Sequence, residues 1–481
     1  MMKEKLNSKI DRMIKSIKLL LLLSLIVFPL ISFSQQEYDI KLKIHDIDDS
    51  SVVIKTIYGK EQIVLDTLYL QKDGTFHFIK KNVHKGIAMV SVGNYDIFTF
   101  LFDKSNKFEI EMDGDWNYVV KGCQDNDLYF EFQKANSSLR KLEYDIKKEL
   151  KQNKEANKDS LMVVYSKERE SFLKFQKEFY KNYPNHIMTK IVQVIEDPKI
   201  PREFYKGKEI DTTKRIEFIY YFRTHYWDNF DFSDNRIIGT PYFFTKLKTY
   251  MNEITIQNGD SVGQALKDFV ELARSRNGGE YAQYAIKYYI NANRNLPFAY
   301  NEERFVSIVD KVVSPEITTW LTPSEIEQLR MEADKLRPLL PKQPFTKIIE
   351  NDFDGKAHSL YDLKNKYTIV YFWSAGCESC KKNLEVLEKF YKEYKNVYDF
   401  EIFSLDLDNR MEESINFRKK HPFDWIVLKS NSELLKEKYN LDIQLTPDLY
   451  ILDKDKKIIN HSPIYSQIES TIKSLEGIEE K

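Results

Sequence analysis

Residues 371–382 read Tyr-Phe-Trp-Ser-Ala-Gly-Cys-Glu-Ser-Cys-Lys-Lys and give the clearest indication of fold in this 481-residue chain. They join an apolar run, residues 368–373, to a segment that begins near Cys377 and has apolar residues at helical spacing. A buried strand followed directly by a helix is typical of α/β domains. Cys377 and Cys380 stand three residues apart at the start of that helix, so their side chains lie on one face and can form a disulfide or separate.

The start of a helix also suits sulfur chemistry. Its unpaired N–H groups and the positive end of the helix dipole stabilise a thiolate at Cys377, the cysteine nearer the end. Cys377 is therefore the expected nucleophile. Cys380 lies one turn deeper and is the expected resolving residue, which attacks a mixed disulfide at Cys377 and releases the partner.

The rest of the C-terminal third alternates between strand and helix patterns. This alternation predicts an α/β domain with buried parallel strands. The predicted strands are residues 368–373, 400–405, 425–428, 449–452 and 457–460, and the predicted helices are residues 377–394, 412–420 and 433–439.

Residues 371–382 resemble the active-site strand and helix of TlpA-like, thioredoxin-fold thiol-disulfide oxidoreductases. Downstream, Thr446-Pro447 directly precedes a strand pattern and resembles the cis-proline of that family. The resemblance covers residues 342–475. The regions before it resemble those of Bacteroidota proteins in which a β domain and a helical domain, both of unknown function, precede a thioredoxin-like domain.

The resemblance implies a catalytic, redox-active disulfide between Cys377 and Cys380. It also implies protein thiols or disulfides and a redox partner protein as the reaction partners, with no metal or other cofactor. Trp373, Thr446 and Pro447 are then the residues that border the bound partner. For Trp373, ordinary packing within its strand is an equally good interpretation.

Two positions depart from the family pattern. Many relatives carry an acid three residues after the second cysteine and a proline five residues after it, whereas this chain has Asn383 and Glu385. Glu378, beside the nucleophile, is also uncommon, although Lys381 and Lys382 can offset its charge. The residues therefore leave the direction of electron transfer open.

Other interpretations of the cysteine pair fit less well. Zinc needs about four ligands, and no second cysteine pair or nearby histidine cluster is present in the sequence. Lys381 replaces the histidine of a c-type haem attachment motif, and Val370 replaces the proline of a peroxiredoxin motif. The remaining alternative is a binding or scaffold protein whose thioredoxin-like domain is redox-dormant.

Residues 1–34 have the pattern of an export signal. Several basic residues precede an apolar run from Leu19 to Phe33, and Ser32 and Ser34 provide small side chains for cleavage. The run is short for a bilayer span and is interrupted by Pro29. We predict a cleaved signal peptide and a periplasmic protein, with anchoring in the membrane as the alternative if the segment is retained.

Two further domains are predicted between the signal and the α/β domain. Residues 35–124 contain short alternating apolar runs, with a hairpin signal at Asp73-Gly74, and predict an antiparallel β domain. Residues 125–338 change to helical periodicity and predict an all-α domain. Prolines then crowd residues 337–345 and mark the boundary of the last domain, residues 342–481. The predicted middle helices lie near residues 139–150, 160–180, 213–225, 240–252, 261–273, 281–292 and 323–336.

Composition excludes one class of partner. Lys plus Arg number 73 and Asp plus Glu number 74, so no net positive field exists to attract nucleic acid. The three cysteines are too few for a disulfide scaffold. Cys123, alone at the end of the β domain, is predicted to be a small buried hydrophobe. The residues do not indicate an oligomeric state.

Overall fold

The computed structural model describes residues 37–47, 49–114, 117–153, 157–201, 204, 212–294, 296, 298–443, 445–461 and 466–477. The predicted signal peptide, residues 1–34, lies outside them. The chain divides into two compact units. The first unit consists of the chain up to Gln193 together with Arg236–Phe243. The second unit consists of Val194–Asn235 together with the chain from Phe244 onward.

The described strands of the first unit form two four-stranded sheets, ordered β4-β1-β7-β8 and β3-β2-β5-β6. Alternate residues of both sheets, such as Ile40 and Ile54, are fully buried in one hydrophobic cluster, so the sheets form a sandwich. The predicted β domain is confirmed, although the β1–β7 pair is parallel. The strands are β1 Glu37–Ile44, β2 Ser51–Tyr58, β3 Glu61–Tyr69, β4 Phe76–Lys81, β5 Gly86–Val92, β6 Tyr95–Phe102, β7 Lys107–Met112 and β8 Tyr118–Lys121.

The turn predicted at Asp73-Gly74 is present, but the predicted hairpin is wrong. Gly74 has a φ of 78° and donates its N–H to the Gln71 carbonyl at 3.0 Å. The strand before the turn, β3, pairs with β2, whereas β4 pairs with β1 in the other sheet. In that sheet Phe76 and Phe78 enter the core. The alternation of apolar and polar residues thus predicts which face of a strand is buried, but it does not predict which other strand pairs with it.

The region between the β sandwich and the α/β domain is helical, as predicted. The helix predicted near residues 323–336 begins with a capping box, in which the Thr322 side chain accepts from the Glu325 N–H. Two helices, Ile187–Ile195 and Ala299–Val312, were not predicted. The described helices are α1 Gln124–Gln152, α2 Lys158–Asn182, α3 Ile187–Ile195, α4 Thr212–His225, α5 Pro241–Thr249, α6 Gly259–Ser275, α7 Gly279–Asn293, α8 Ala299–Val312 and α9 Pro323–Leu336.

The C-terminal part of the second unit contains a five-stranded sheet, ordered β13-β12-β11-β14-β15, and thus confirms the predicted α/β domain. Its strands are β11 Tyr367–Trp373, β12 Phe400–Asp406, β13 Ile426–Lys429, β14 Asp448–Leu452 and β15 Ile458–His461. Its helices are α10 Glu378–Tyr398, α11 Met411–Lys420, α12 Ser432–Tyr439 and α13 Ser466–Leu475. The last helix, and a small antiparallel pair formed by β9 Ile349–Asn351 and β10 Ala357–Ser359, were not predicted.

The prediction of parallel strands is correct only for β11, β12 and β13. Strand β14 runs antiparallel to β11, and β15 runs antiparallel to β14. A short turn, in which the Lys456 N–H donates to the Asp453 carbonyl at 3.0 Å, connects β14 to β15. Such a short connection joins antiparallel strands, because parallel strands need a long crossover.

Strand β11 lies at the centre of this sheet, and all seven of its residues are buried. Ile369 and Tyr371 face the hydrophobic cluster that contains Leu384 of helix α10. Val370 and Phe372 face a second cluster on the other side of the sheet. The end of β11 is therefore held from both faces, and the cysteine pair follows directly after it.

Among the described residues, no helix is long and apolar enough to cross a bilayer.

Candidate active site

The loop between β11 and α10 brings Cys377 to the start of the helix. The Cys377 N–H donates to the Ser374 carbonyl at 3.0 Å, which closes the loop into a tight turn. The Leu407 N–H donates to the Trp373 carbonyl at 2.7 Å and fixes the end of β11 against the chain that follows β12. The loop therefore begins from a fixed point.

Asp408 holds the middle of this loop. Its Oδ2 accepts from the Gly376 N–H at 2.7 Å and from the Ser374 hydroxyl at 2.8 Å. The same carboxylate pairs with Arg410, whose Nε lies 3.1 Å from Oδ1. A side chain at Gly376 would overlap the Arg410 guanidinium and crowd the Asp408 carboxylate, so these side chains would have to shift to admit it.

The charge of Asp408 is strongly favoured although its side chain is only 4% exposed. Burial alone would raise the pKa of this carboxyl, but hydrogen bonds from Arg410 and from the loop outweigh burial. The pKa of Asp408 therefore lies well below its ordinary value. Asp408 stays ionised and keeps the loop closed over the whole neutral range.

Cys377 and Cys380 form a disulfide with a Cα–Cα distance of 5.2 Å. Cys377 occupies the N-cap position of α10, and its sulfur accepts from the Cys380 N–H at 3.1 Å. Cys377 is partly exposed, whereas Cys380 is fully buried in the core of the domain. An incoming sulfur can thus reach Cys377 but not Cys380.

The Thr446-Pro447 segment lies beside the disulfide. The peptide bond between these residues is cis, and the Thr446 carbonyl oxygen lies 3.6 Å from the Cys377 sulfur. The structure therefore places three of the residues implied by the family resemblance, Cys377, Thr446 and Pro447, at one point on the surface of the domain. Their roles in catalysis and partner binding stay predictions.

Trp373, the remaining predicted site residue, is 0% exposed. Its ring packs against Phe417 at a centroid distance of 5.5 Å and against Phe423 at 6.1 Å. This position favours the interpretation that Trp373 packs within the core, and a contact with a partner stays a prediction.

Cys123, at the end of the β domain, is buried, and the Asn126 side-chain amide donates to its sulfur at 3.3 Å.

The buried Tyr371 and the half-buried Asn383 lie beside the buried cysteine. The Tyr371 hydroxyl donates to the Cys380 carbonyl at 3.4 Å and also hydrogen-bonds to the Asn383 side chain. Burial raises the pKa of Tyr371 far above its ordinary value, so the phenol stays neutral. Where many relatives have an acid, this chain therefore has an amide that contacts a neutral phenol.

Glu378 does not leave an unbalanced charge beside Cys377. Its carboxylate is 2.7 Å from the Lys381 ammonium one turn along the helix. A hydrogen bond from Lys381 lowers the pKa of Glu378. The expected compensation by Lys381 is thus present.

No group of three or more His, Cys, Asp or Glu side chains within the described ranges is placed to hold a metal ion.

Sequence reasoning missed Asp408, Arg410 and Tyr371. Asp408 follows β12 at its carboxyl end, and β12 is parallel to β11, whose carboxyl end leads into the cysteine motif. Polar residues just beyond neighbouring parallel strands meet at one edge of a sheet. This placement could have identified Asp408, whereas the contacts of Tyr371 depend on packing that the sequence does not display.

We predict that Asp408→Asn lowers the free energy of unfolding by about 2 kcal/mol at neutral pH, because the amide NH2 that replaces one carboxylate oxygen cannot accept from the part-buried donors of the loop. The native pKa of Asp408 is depressed, so its contribution is present above the unfolded-state value of about 3.9 and is lost as the pH falls through the native value. The difference between wild type and variant should therefore shrink in acid. Urea titrations at neutral and acidic pH measure both quantities.

Glu413→Gln is the matched control, because Glu413 also pairs with Arg410, at 2.6 Å, but is 47% exposed. Its effect should stay below about 1 kcal/mol, as for other surface pairs. If the decrease in the free energy of unfolding caused by Asp408→Asn does not change with pH, the assigned role of the Asp408 charge is contradicted.

Comparison with known proteins agrees with this geometry. Residues 365–458 match the thioredoxin-like family, and residues 181–336 match a domain of unknown function, DUF5106. The thiol-disulfide oxidoreductase ResA of Bacillus cereus is 28% identical over 127 residues, which are 26% of this chain and 71% of the relative.

Two solved structures are also similar. A thioredoxin-like protein from Bacteroides caccae is 18% identical with a TM-score of 0.46, over 58% of this chain and 97% of that one. The thioredoxin domain of a thiol-disulfide oxidoreductase from Bacteroides vulgatus is 26% identical with a TM-score of 0.25, over 27% of this chain and 97% of that one. Residues 365–458 therefore form a thioredoxin-like domain, and their cysteine motif and relatives support a TlpA-like thiol-disulfide oxidoreductase.

Proposed function

We propose that this oxidoreductase is exported and exchanges disulfides with protein partners through Cys377 and Cys380. The observation that carries the proposal is the asymmetry of the pair, in which a partly exposed sulfur at a helix N-cap is bonded to a fully buried one. This arrangement permits attack on Cys377 alone and keeps Cys380 for the second, intramolecular step. The name of the relative from Bacillus cereus, a thiol-disulfide oxidoreductase, supports the same chemistry.

The exchange proceeds in two steps that can run in either direction. When the chain acts as oxidant, a partner thiolate attacks the Cys377 sulfur, a mixed disulfide forms, and Cys380 leaves as a thiolate that takes up a proton. A second partner thiolate then attacks the partner sulfur of the mixed disulfide and releases Cys377. The partner is oxidised by two electrons, and the Cys377–Cys380 pair is reduced by two.

When the chain acts as reductant, the Cys377 thiolate attacks a partner disulfide and Cys380 resolves the mixed disulfide. The N–H of Cys380 lies 3.1 Å from the Cys377 sulfur and can stabilise the thiolate in either direction. The neutral Tyr371 and Asn383 provide no carboxylate to accept the Cys380 proton. We therefore infer that this proton passes to solvent or to the partner when Cys380 attacks.

Export is proposed from residues 1–34. Their basic start, apolar run and small residues at the end are those of a secretory signal. Thiol-disulfide exchange that maintains or forms disulfides is also typical of compartments outside the reducing cytosol.

We predict that Cys380→Ser accumulates mixed disulfides at Cys377, because the second sulfur that would resolve them is absent. The variant should be produced in the exporting cell, quenched with acid and an alkylating agent, and separated on non-reducing gels. Bands that disappear on reduction should contain partner proteins bound to Cys377, which peptide mass spectrometry can locate.

Two matched controls define the result. Cys377→Ser with Cys380→Ser should trap nothing, and Cys123→Ser with Cys380→Ser should trap as efficiently as Cys380→Ser alone because Cys123 is buried. Equal trapping with and without Cys377 would contradict disulfide exchange and would favour the alternative of a binding protein with a dormant redox domain.

We also predict that removal of residues 2–34 retains the chain inside the cytoplasm. Fractionation of cells that carry the full-length or shortened chain, with accessibility of a C-terminal tag to external protease after outer-membrane permeabilisation, measures this. An N-terminus near Gln35 in the exported form supports cleavage. Equal distribution of the two chains would contradict the export role of this segment.

A further inference from the structure

A buried bridge of three ionisable side chains connects helix α8 to the cis-proline segment within the second unit. Glu302 Oε2 lies 2.9 Å from His461 Nδ1, and His461 Nε2 lies 2.6 Å from Asp448 Oδ1. The exposed fractions of these side chains are 4% for His461, 7% for Glu302 and 13% for Asp448. Charged groups are rarely buried to this extent unless each is paired.

The two contacts determine the state of the histidine. A neutral imidazole carries one N–H, whereas both ring nitrogens of His461 face carboxylate oxygens, so both must donate and the ring is cationic. Burial alone would lower the pKa of His461, but Asp448 and Glu302 outweigh burial and raise this pKa to about 10. The ring also stacks face to face on Tyr450 at a centroid distance of 4.1 Å.

Asp448 connects the bridge to the active site. It directly follows Pro447, and its Oδ1 also accepts from the Leu449 N–H at 3.0 Å, so the start of β14 has a fixed orientation. Asp448 pairs with Phe372 on β11, one residue before the end of that strand. Two residues upstream, the Thr446 carbonyl oxygen lies 3.6 Å from the Cys377 sulfur. Only Pro447 therefore separates the anchored Asp448 from the residue whose carbonyl oxygen touches the disulfide.

Glu302 is fixed at the other end of the bridge. It lies in the first turn of α8, a helix whose buried residues include Phe305, Ile308 and Val309. Next to it, the buried Asn301 side chain donates to Asn293 of helix α7 at 3.1 Å. Because its backbone is held by this packing, the Glu302 carboxylate provides a firm support for His461.

We propose that Glu302 is a positioning residue through which the helical region sets the placement of the Thr446 carbonyl against the Cys377 sulfur. The proposal deepens the proposed function and rests on it only for the identity of the partners. It assigns a task to the helical region, whose matched family is described as having no known function. Glu302 acts through His461 and Asp448 and touches neither sulfur nor partner.

The consequence for the redox pair follows from the chemistry of the carbonyl. In the reduced state the Cys377 thiol can donate to the Thr446 oxygen, a hydrogen bond that the disulfide cannot make because it carries no S–H. A carbonyl that is less firmly placed accepts a weaker hydrogen bond. Loss of the bridge therefore destabilises the reduced form and should make the pair harder to reduce.

The test measures the equilibrium between the Cys377–Cys380 pair and glutathione in the full-length chain, with the reduced fraction quantified by alkylation and mass spectrometry. Two variants break the bridge in different ways. Glu302→Gln removes the charge and keeps the length, whereas Glu302→Asp keeps the charge and shortens the reach. Both should lower the equilibrium constant for reduction by about fivefold or more, the low end of measured couplings between sites.

Glu303→Gln is the matched control, because it removes the same charge from the neighbouring, partly exposed position of α8. It should leave the equilibrium constant at the wild-type value. Wild-type constants in both Glu302 variants would overturn the proposal, and so would equal shifts in Glu302→Gln and Glu303→Gln, since these would indicate a charge effect without positioning. If Glu302→Gln does not fold, as judged by near-ultraviolet circular dichroism, Glu302→Asp alone decides between these outcomes.

This readout is independent of partner proteins. If Cys380→Ser traps no protein, the proposed exchange with protein partners fails, while a shifted equilibrium constant in the Glu302 variants still supports positioning. If proteins are trapped but the constant does not move, the exchange stands and the positioning role fails.

Discussion

The active site depends on one buried carboxylate. Asp408 accepts hydrogen bonds from the two ends of the short loop between Ser374 and Gly376, and Cys377 is the next residue. Strand β11 fixes the start of that loop through its burial on both faces, and helix α10 fixes its end. Without the carboxylate, the part-buried Ser374 hydroxyl and Gly376 N–H would lose this acceptor, which costs about 1 kcal/mol for each hydrogen bond. The N-cap position of Cys377 therefore depends on a residue that closely follows another strand, β12.

Reactivity then follows from differences between the two sulfurs. Cys377 is partly exposed, accepts an N–H from the helix and lies beside the Thr446 carbonyl. Cys380 is fully buried next to Tyr371. A shared fold alone does not specify a function, but this asymmetry suits the two successive thiol-disulfide exchange steps of the proposed function. The bridge from Glu302 adds a contribution from the helical region, so the domain with the cysteines is not the only part of the chain that shapes the site.

Much of the site could be predicted from local sequence, because strand β11, helix α10 and the cysteine pair are adjacent in the chain. The family resemblance added Thr446 and Pro447. Contacts between distant residues could not be predicted, since Glu302 and His461 are 159 positions apart and neither belongs to a motif. Helix α8 itself was missed because it lacks a side-chain N-cap and is rich in β-branched valine and isoleucine, which favour strands when packing is unknown. The same limit explains the strand pairings that were wrong, because periodicity identifies a buried face and not its neighbour.

Exchange with partners requires that the Cys377 sulfur is reactive and that the Cys380 sulfur is shielded. Timed alkylation of the reduced, folded chain with limiting iodoacetamide, followed by peptide mass spectrometry, compares the two sulfurs. The accessible sulfur at the N-cap should be modified first, so early samples should carry the label on Cys377 with Cys380 and Cys123 unmodified. Labelling of Cys380 at the same rate as Cys377, in a chain that remains folded, would contradict the account.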